Sequence, residues 1–255
     1  MPSRPSLIIV GHGSSSNSAA EIAVEEHAIT LRQSRRFGAV LTHFVQKGSN
    51  LPPLPNGELF ILPFFMSDGF FVRKKIPSIF GLIDGERHSG DRHLVQCDAI
   101  GIDPELSQII DTCVSEVRER KEIRKDNIAL LLVAHGSSKS TASREAALLQ
   151  QEIARRKNIA ATVEVAFLEE APSIEDSLAQ LSKRFDHVVI IGLFSANGPH
   201  ATDDVTQAID TFKNSEKVPL IQSVTEIYYT GAIGVRPEIV RLIQNSISRK
   251  AGEVQ

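Results

Sequence analysis

The chain has 255 residues, with 28 Lys and Arg against 31 Asp and Glu and 42% hydrophobic residues, enough for one large domain or two small ones. A net charge of -3 gives no electrostatic reason to expect nucleic acid or an anionic membrane as partner, and no apolar run approaches the roughly 20 residues of a membrane helix. The two cysteines, Cys97 and Cys113, form no CxxC, which argues against a disulfide framework and against a thiolate-bound zinc or iron–sulfur site. Met1-Pro-Ser-Arg-Pro leads into an apolar strand with no signal region ahead of it, so a reducing cytoplasm is the expected location. Aromatic residues are few, with no Trp and two Tyr, so a large flat ligand would be held by aliphatic walls, Phe and backbone.

In the first half, strands are predicted at Leu7–Val10, Ala39–Val45, Leu59–Phe65 and His93–Ile100. No helix is expected between the second and third, where Lys47-Gly-Ser-Asn-Leu-Pro-Pro-Leu-Pro-Asn-Gly57 holds three prolines and two glycines. In the second half, Ile128–Val133 reads as a buried parallel strand. A helix over Thr141–Lys157 follows, with Ala142, Ala146, Leu149 and Ile153 on one face, then a strand over Ala161–Leu168. Ser173 is placed as the N-cap of a helix to Phe185, with Glu175 and Asp176 in its first turn. A third strand spans His187–Phe194, Thr202 caps a helix carrying Val205, Ile209 and Phe212, a fourth strand spans Pro219–Ile227, and Pro237 starts the last helix. Such alternation predicts parallel sheets with helices on both faces.

The chain is also written twice. Leu7-Ile-Ile-Val-Gly-His-Gly-Ser-Ser15 recurs as Leu130-Leu-Leu-Val-Ala-His-Gly-Ser-Ser138 at an offset of 123, and Ala99-Ile-Gly-Ile-Asp-Pro-Glu-Leu106 recurs as Ala232-Ile-Gly-Val-Arg-Pro-Glu-Ile239 at an offset of 133. A period near half the chain means a duplicated domain rather than a short-repeat solenoid. The copies are assigned to residues 1–123 and 124–255, divided in the charged stretch Arg118–Asp126.

Ligands of open parallel sheets bind at the carboxyl ends of the strands. In the second copy three polar residues fall there: His135 after the first strand, Glu169 at the end of the second, and His200 after the third, within Ser195-Ala-Asn-Gly-Pro-His200. Two imidazoles and a carboxylate can bind a divalent metal and can accept protons near neutral pH. Each histidine alone could be a mere loop or capping residue; their conjunction favours a site. Gly136 and Gly198 would let a ligand approach the backbone, and Ser137 and Ser138 are expected at a helix start with N–H groups free for an anion. Glu170, Glu175 and Asp176 read as a solvated helix start. His27 and His187 are assigned packing roles, and His43, within a strand, is assigned to the core or an interface. His88 and His93 flank Ser-Gly-Asp-Arg in a polar loop, where a loose metal site competes with plain solvation. The segment around His12 fits neither GxGxxG nor a P-loop, and Gly-x-Ser-x-Gly is absent, so a Ser nucleophile is unsupported.

His-Gly-Ser after an apolar first strand, Phe-x-Glu followed by Pro-Ser-Ile, a third strand ending in Gly-x-His and a terminal Gly-Ala-Ile-Gly before the last helix resemble the class II tetrapyrrole metal chelatases, among them the sirohydrochlorin cobalto- and ferrochelatases. The resemblance covers both halves. It implies two tandem flavodoxin-like domains, each a four-stranded parallel sheet with helices on both faces, with the tetrapyrrole in the cleft between them. It also implies insertion of Co2+ or Fe2+ into sirohydrochlorin without ATP, in cobalamin or siroheme biosynthesis. The metal is then a substrate (Co2+, Fe2+ or Ni2+), no cofactor is tightly bound, and the chain is a monomer or weak homo-oligomer. Carried over, the metal-handling histidines are His135 and His200 and the acidic partner is Glu169. In the first copy His12 matches the first histidine, but Gln46 stands at the Glu position and Phe71 at the second His position, so that copy is read as degenerate. Ser137, Ser138, Gly198, His12 and Phe71 are assigned to the substrate, with ring carboxylates meeting the Ser-rich turn and Arg73, Lys74 and Lys75. Phe64, Phe65, Phe70, Phe71 and Phe80 either wall the macrocycle or form core. Two rivals stand beside this reading: a non-catalytic tetrapyrrole or metal carrier, and a module binding a phosphorylated ligand at Gly13–Asn17 and Gly136–Lys139.

Overall fold

A computed structural model describes residues 4–13, 18–46, 50–215 and 225–254. Two compact units divide the chain. The first comprises Met1–Asp103 and Pro237–Gln255, the second Pro104–Arg236.

The first unit holds β1 (Ser6–Gly11), α1 (Ala19–Gln33), β2 (Val40–Phe44), β3 (Gly57–Pro63), α2 (Ile76–Phe80), β4 (Glu86–Ser89), β5 (Arg92–Gln96) and, from the chain's end, α7 (Ile239–Val254). Its sheet runs β2-β1-β3-β5-β4. The first four of these strands are parallel, and β4 pairs antiparallel with β5. Ile8, Val10, Leu59, Ile61 and Leu94 pack with Ile76 and Phe80 of α2, while α1 packs on β1, β2 and α7. As the prolines of 52–55 require, β2 and β3 are joined without a helix among the described residues. The four-strand expectation needs one correction. Glu86-Arg-His-Ser89 is a strand rather than a polar loop, folded back on Arg92–Gln96 through a turn at Gly90, whose φ is +58°.

The second unit holds α3 (Leu106–Lys121), β6 (Ile128–Ala134), α4 (Ala142–Arg156), β7 (Thr162–Phe167), α5 (Ile174–Leu181), β8 (His187–Gly192), α6 (Val205–Lys213) and β9 (Glu226–Ala232). The sheet is parallel throughout, in the order β7-β6-β8-β9. β6 is buried along its whole length, which is why it reads as an uninterrupted apolar run. Ile174, Leu178 and Leu181 of α5 and Val205, Ile209 and Phe212 of α6 enter one core with Leu131, Val133 and Ile190. Ser173 is the N-cap, and its hydroxyl accepts from the Asp176 N–H at 3.1 Å. Two boundaries differ from expectation. The fourth strand is Glu226–Ala232, later than Pro219–Ile227, of which residues 219–224 lie outside the described residues. Thr202 does not cap α6. It sits inside a π-helical turn, His200–Asp204, that runs straight into the helix.

The compact units do not coincide with the sequence copies 1–123 and 124–255. Each unit takes its last helix from the other copy: α3, which follows β5 in the chain, packs against α4 and β8, and α7 packs against α1. The repeated Ala-Ile-Gly segments form matching 3-10 turns, Ile100–Ile102 and Ile233–Val235. In each the glycine N–H donates to the strand-three exit, Gly101 to Phe65 O at 3.0 Å and Gly234 to Phe194 O at 2.9 Å. A Cβ would lie 2.1 Å from Met66 O at the first glycine and 2.4 Å from Ser195 O at the second. The glycines recur because no other residue lets the two backbones approach so closely.

Candidate active site

Three loops at the carboxyl edge of the second sheet carry the candidate residues. His135 is the first residue beyond β6. The loop after β7 is laced to it, with the N–H groups of Leu168 and Glu169 donating to the His135 carbonyl at 3.1 and 3.0 Å. His200 opens the π-turn after β8. That turn is pinned by the Tyr229 hydroxyl of β9, which donates to Ala201 O, and by Thr202 Oγ1, which donates to Gly198 O at 3.2 Å. Burial pushes the Tyr229 phenol up to about 12, so it stays a neutral donor across the physiological range.

These loops bring His135, His200 and Glu169 together. The imidazole rings of His135 and His200 lie 4.6 Å apart between centroids and are nearly perpendicular at 88°. Glu169 Oε2 is 3.7 Å from His135 Nδ1. His135 Nδ1 is 3.0 Å from Gly136 O, and His200 Nδ1 is 2.7 Å from Asp204 Oδ2. A carbonyl or a carboxylate can only accept, so Nδ1 is the donor in each ring, and in the neutral tautomer this selects, Nε2 carries the lone pair. Two Nε2 donors with a carboxylate alongside are a half-exposed ligand set of moderate softness, of the kind that suits a divalent transition metal. A cavity of about 340 Å3 opens beside it, lined by Glu169, Glu175, His200, Asp204 and Gln207 among others. Its three carboxylates favour a cation over an anion.

Asp204 was not singled out by sequence reasoning. Its signal is the His-x-x-x-Asp spacing, which stacks residues one turn apart on a helix. Tyr229 was missed too, for want of any sequence cue linking β9 to the π-turn.

The Ser-rich turn departs from expectation. α4 begins at Ala142, beyond Ser137 and Ser138, and of the two N–H groups expected to be free that of Ser137 is engaged, as are those of its neighbours Gly136 and Lys139. Ser137 N donates to Glu170 Oε1 at 3.3 Å, Gly136 N to Ser143 Oγ at 3.0 Å and Lys139 N to Ser137 Oγ at 3.1 Å. Glu170 is no solvated helix start: it also takes Arg144 at 2.6 Å, whose guanidinium lies over the Phe167 ring. An internal carboxylate already occupies the place assigned to an anion. Ser138 is exposed and Gly198 has open space where a Cβ would stand, so both remain accessible.

The first unit repeats the frame with other side chains. His12 Nδ1 bonds Gly13 O at 2.8 Å. Gln46 N donates to His12 O at 2.9 Å, as Glu169 N does to His135 O. Phe71 opens a second π-turn, Phe71–Lys75, with its ring 4.7 Å from His12 at 80°. Phe71 thus occupies the place of His200, Gln46 that of Glu169 and Lys75 that of Asp204. Phe65 stacks on Phe71 at 5.9 Å, Phe70 is exposed, and Phe64 and Phe80 are core. Of the basic run, Arg73 is paired with Asp68 at 2.8 Å, and Lys74 and Lys75 are exposed. Residues 14–17 of the Gly13–Asn17 loop lie outside the described residues. His27 and His43 are buried, as packing roles require.

The same frame built twice agrees with the match to known families. The CbiX family model fits the chain two times, over residues 6–117 and 129–250. The chain belongs to the CbiX family. A Halobacterium salinarum protein described as a probable sirohydrochlorin cobaltochelatase is 25% identical over 255 residues, covering 91% of this chain and 86% of that protein. The structure of a CbiX described as the terminal enzyme of siroheme biosynthesis in denitrifying bacteria superposes with a TM-score of 0.71 at 24% identity, covering 96% of this chain and 98% of that one. A multidomain Deinococcus radiodurans protein with structural similarity to chelatases superposes with a TM-score of 0.76 at 18% identity; 95% of this chain is covered, but it spans only 54% of that protein. These structural likenesses establish the chelatase fold. Among the described residues no helix is long and apolar enough to cross a membrane.

Proposed function

We propose that this protein inserts a divalent metal, Co2+ or Fe2+, into sirohydrochlorin, with the second copy carrying the reaction. The observation that carries the reading is the perpendicular His135–His200 pair, both Nε2 atoms unencumbered, at the strand-end edge of a CbiX-family fold. Metal insertion exchanges two pyrrole N–H protons for one M2+. It needs a donor set that strips part of the hydration shell yet releases the ion to four ring nitrogens. Two neutral imidazoles suit this, where thiolates would hold the ion too tightly. As the ion leaves, the freed Nε2 atoms accept the departing protons. Asp204 and Gly136 O stabilise the resulting imidazolium N–H groups, and Glu169 adds negative charge 3.7 Å from His135.

In this reading the metal is a substrate, no cofactor is held tightly, and the protein works as a cytoplasmic monomer or weak homo-oligomer without nucleic acid or membrane. The ring lies over the carboxyl edge of the second sheet near Ser138 and Gly198, and His12 and Phe71 remain the first copy's candidates for a substrate contact. The phosphate-module alternative loses its support at Ser137, whose N–H is already spoken for by Glu170.

The test is the absorbance change of sirohydrochlorin mixed with Co2+, Fe2+ or Ni2+ and purified protein. His135→Ala and His200→Ala should each lower the rate by at least about 100-fold. Parent-like rates in both variants would remove the assignment, and tight sirohydrochlorin binding without turnover under every metal would favour the non-catalytic carrier.

A further inference from the structure

We propose that Glu86, His88 and His93 form a second binding site for a divalent transition-metal ion, on the β4–β5 hairpin of the first compact unit. His88 and His93 are direct cross-strand partners, and Glu86 stands two residues before His88 on the same strand. Strand alternation therefore puts all three on one face of the hairpin. One ligand atom from each lies within 4.8 Å of the other two.

One of the three ligand pairs already has the spacing of a shared shell. His93 Nε2 and Glu86 Oε2 are 3.2 Å apart. Two donors at bonds of about 2.0–2.1 Å in a tetrahedral shell are separated by about 3.3–3.4 Å. The His88 and His93 rings are stacked, within 7° and with centroids 4.1 Å apart, so the exposed His88 must turn out of the stack for its in-plane lone pair to reach the same centre. The neighbouring cations do not face the cluster. Arg87 and Arg92 alternate to the other side of the hairpin; Arg87 donates to Phe80 O at 3.0 Å and Arg92 to Asn56 Oδ1 at 3.2 Å.

The donor set selects the ion's class. Two imidazoles and one carboxylate favour Co2+, Ni2+, Zn2+ or Fe2+ over Mg2+ and Ca2+, which prefer all-oxygen shells. Three protein ligands leave a position for water, so the ion can exchange. It also ties an edge strand of four residues to its neighbour.

This site does not rest on the insertion reading, and its test is separable from it. Equilibrium dialysis of the protein against Co2+ alone counts bound equivalents, and visible absorption reports imidazole-ligated Co2+. The parent should bind one equivalent more than His88→Ala/His93→Ala. His135→Ala/His200→Ala should keep the hairpin equivalent. Glu86→Gln, which spares both rings, should weaken that equivalent by about 10-fold or more, and Mg2+ should not compete. The proposal is overturned if His88→Ala/His93→Ala binds as many equivalents as the parent with the same spectrum, or if His135→Ala/His200→Ala binds no Co2+ at all.

Discussion

The two copies differ at their sites by three side chains on one frame, so the second site can be rebuilt in the first. Phe71→His places an imidazole where a ring already stands 4.7 Å and 80° from His12, against 4.6 Å and 88° for the His135–His200 pair. Alone it is incomplete, because the residue four positions on is Lys75, where His200 has the orienting carboxylate of Asp204. Lys75→Asp supplies that carboxylate, and such outer partners are worth about 10–100-fold in metal affinity, or roughly 1.4–2.8 kcal/mol. Gln46→Glu adds the third group on a backbone already bonded to His12 O. The cost is local: Phe71 loses its contacts with Phe65 and Phe70, each worth about 0.5–1.5 kcal/mol. In a His135→Ala/His200→Ala background, Co2+ binding should gain one equivalent. Affinity should rise stepwise from Phe71→His to Phe71→His/Lys75→Asp to the variant that also carries Gln46→Glu. A triple variant with native circular dichroism that binds no more Co2+ than its background would refute the equivalence of the two frames.

Asp204→Asn should lower kcat/KM for metal insertion by about 10–100-fold with an unchanged circular dichroism spectrum, because it loosens the His200 tautomer rather than the fold. Gly234→Ala puts a Cβ 2.4 Å from Ser195 O and should cost about 2–4 kcal/mol in denaturant unfolding. His43 is buried with its pKa lowered by desolvation, so the unfolded chain binds its proton first. Its share of stability is intact above the unfolded value of 6.5 and is lost as the pH falls through 6.5 toward the lower folded value. His43→Gln should flatten that part of the pH dependence of the urea midpoint. Asp103→Arg should destabilise by about 1–3 kcal/mol through repulsion of Arg249, and adding Arg249→Asp should restore most of it in the same unfolding assay.

Much of this was legible in the sequence because burial writes simple patterns. β6 is apolar from end to end, and the identity of Phe71 with the place of His200 followed from aligning two copies of one motif. The failures have physical causes. Glu86–Ser89 is an exposed edge strand stabilised by its hairpin partner, so it carries no apolar run; only the Gly90-Asp91 turn betrays it. β9 is half-buried through most of its length, and the more apolar Val218-Pro-Leu-Ile221 drew the expected strand upstream. The π-turns were invisible because their extra residue per turn leaves no compositional mark. Glu170 looked like a helix-start acid until Arg144 and the Ser137 N–H were seen to converge on it. Nothing in either copy taken alone announces the exchange of α3 and α7.

Taken together, however, the copies do contain a reason for that exchange. Asp103 and Arg236 are equivalent at the offset of 133, and so are Glu116 of α3 and Arg249 of α7. The charges are reversed at both positions. Within the first unit Asp103 pairs with Arg249 at 2.5 Å, and within the second Arg236 makes a two-pronged pair with Glu116 at 2.5 and 3.0 Å. Were each helix to stay with its own copy, Asp103 would meet Glu116 and Arg236 would meet Arg249. Glu116 is 54% exposed and Arg249 43%, so screening holds each attraction to about 1 kcal/mol or less. Asp103, at 4% exposure, changes the balance: a second carboxylate beside a nearly buried one is a like-charge contact with little solvent screening, which is destabilising. The reversal therefore acts less by strengthening the observed pairing than by penalising the alternative. A duplicated chain needs such a device, because its two terminal helices descend from one sequence and would otherwise compete for the same sheet face.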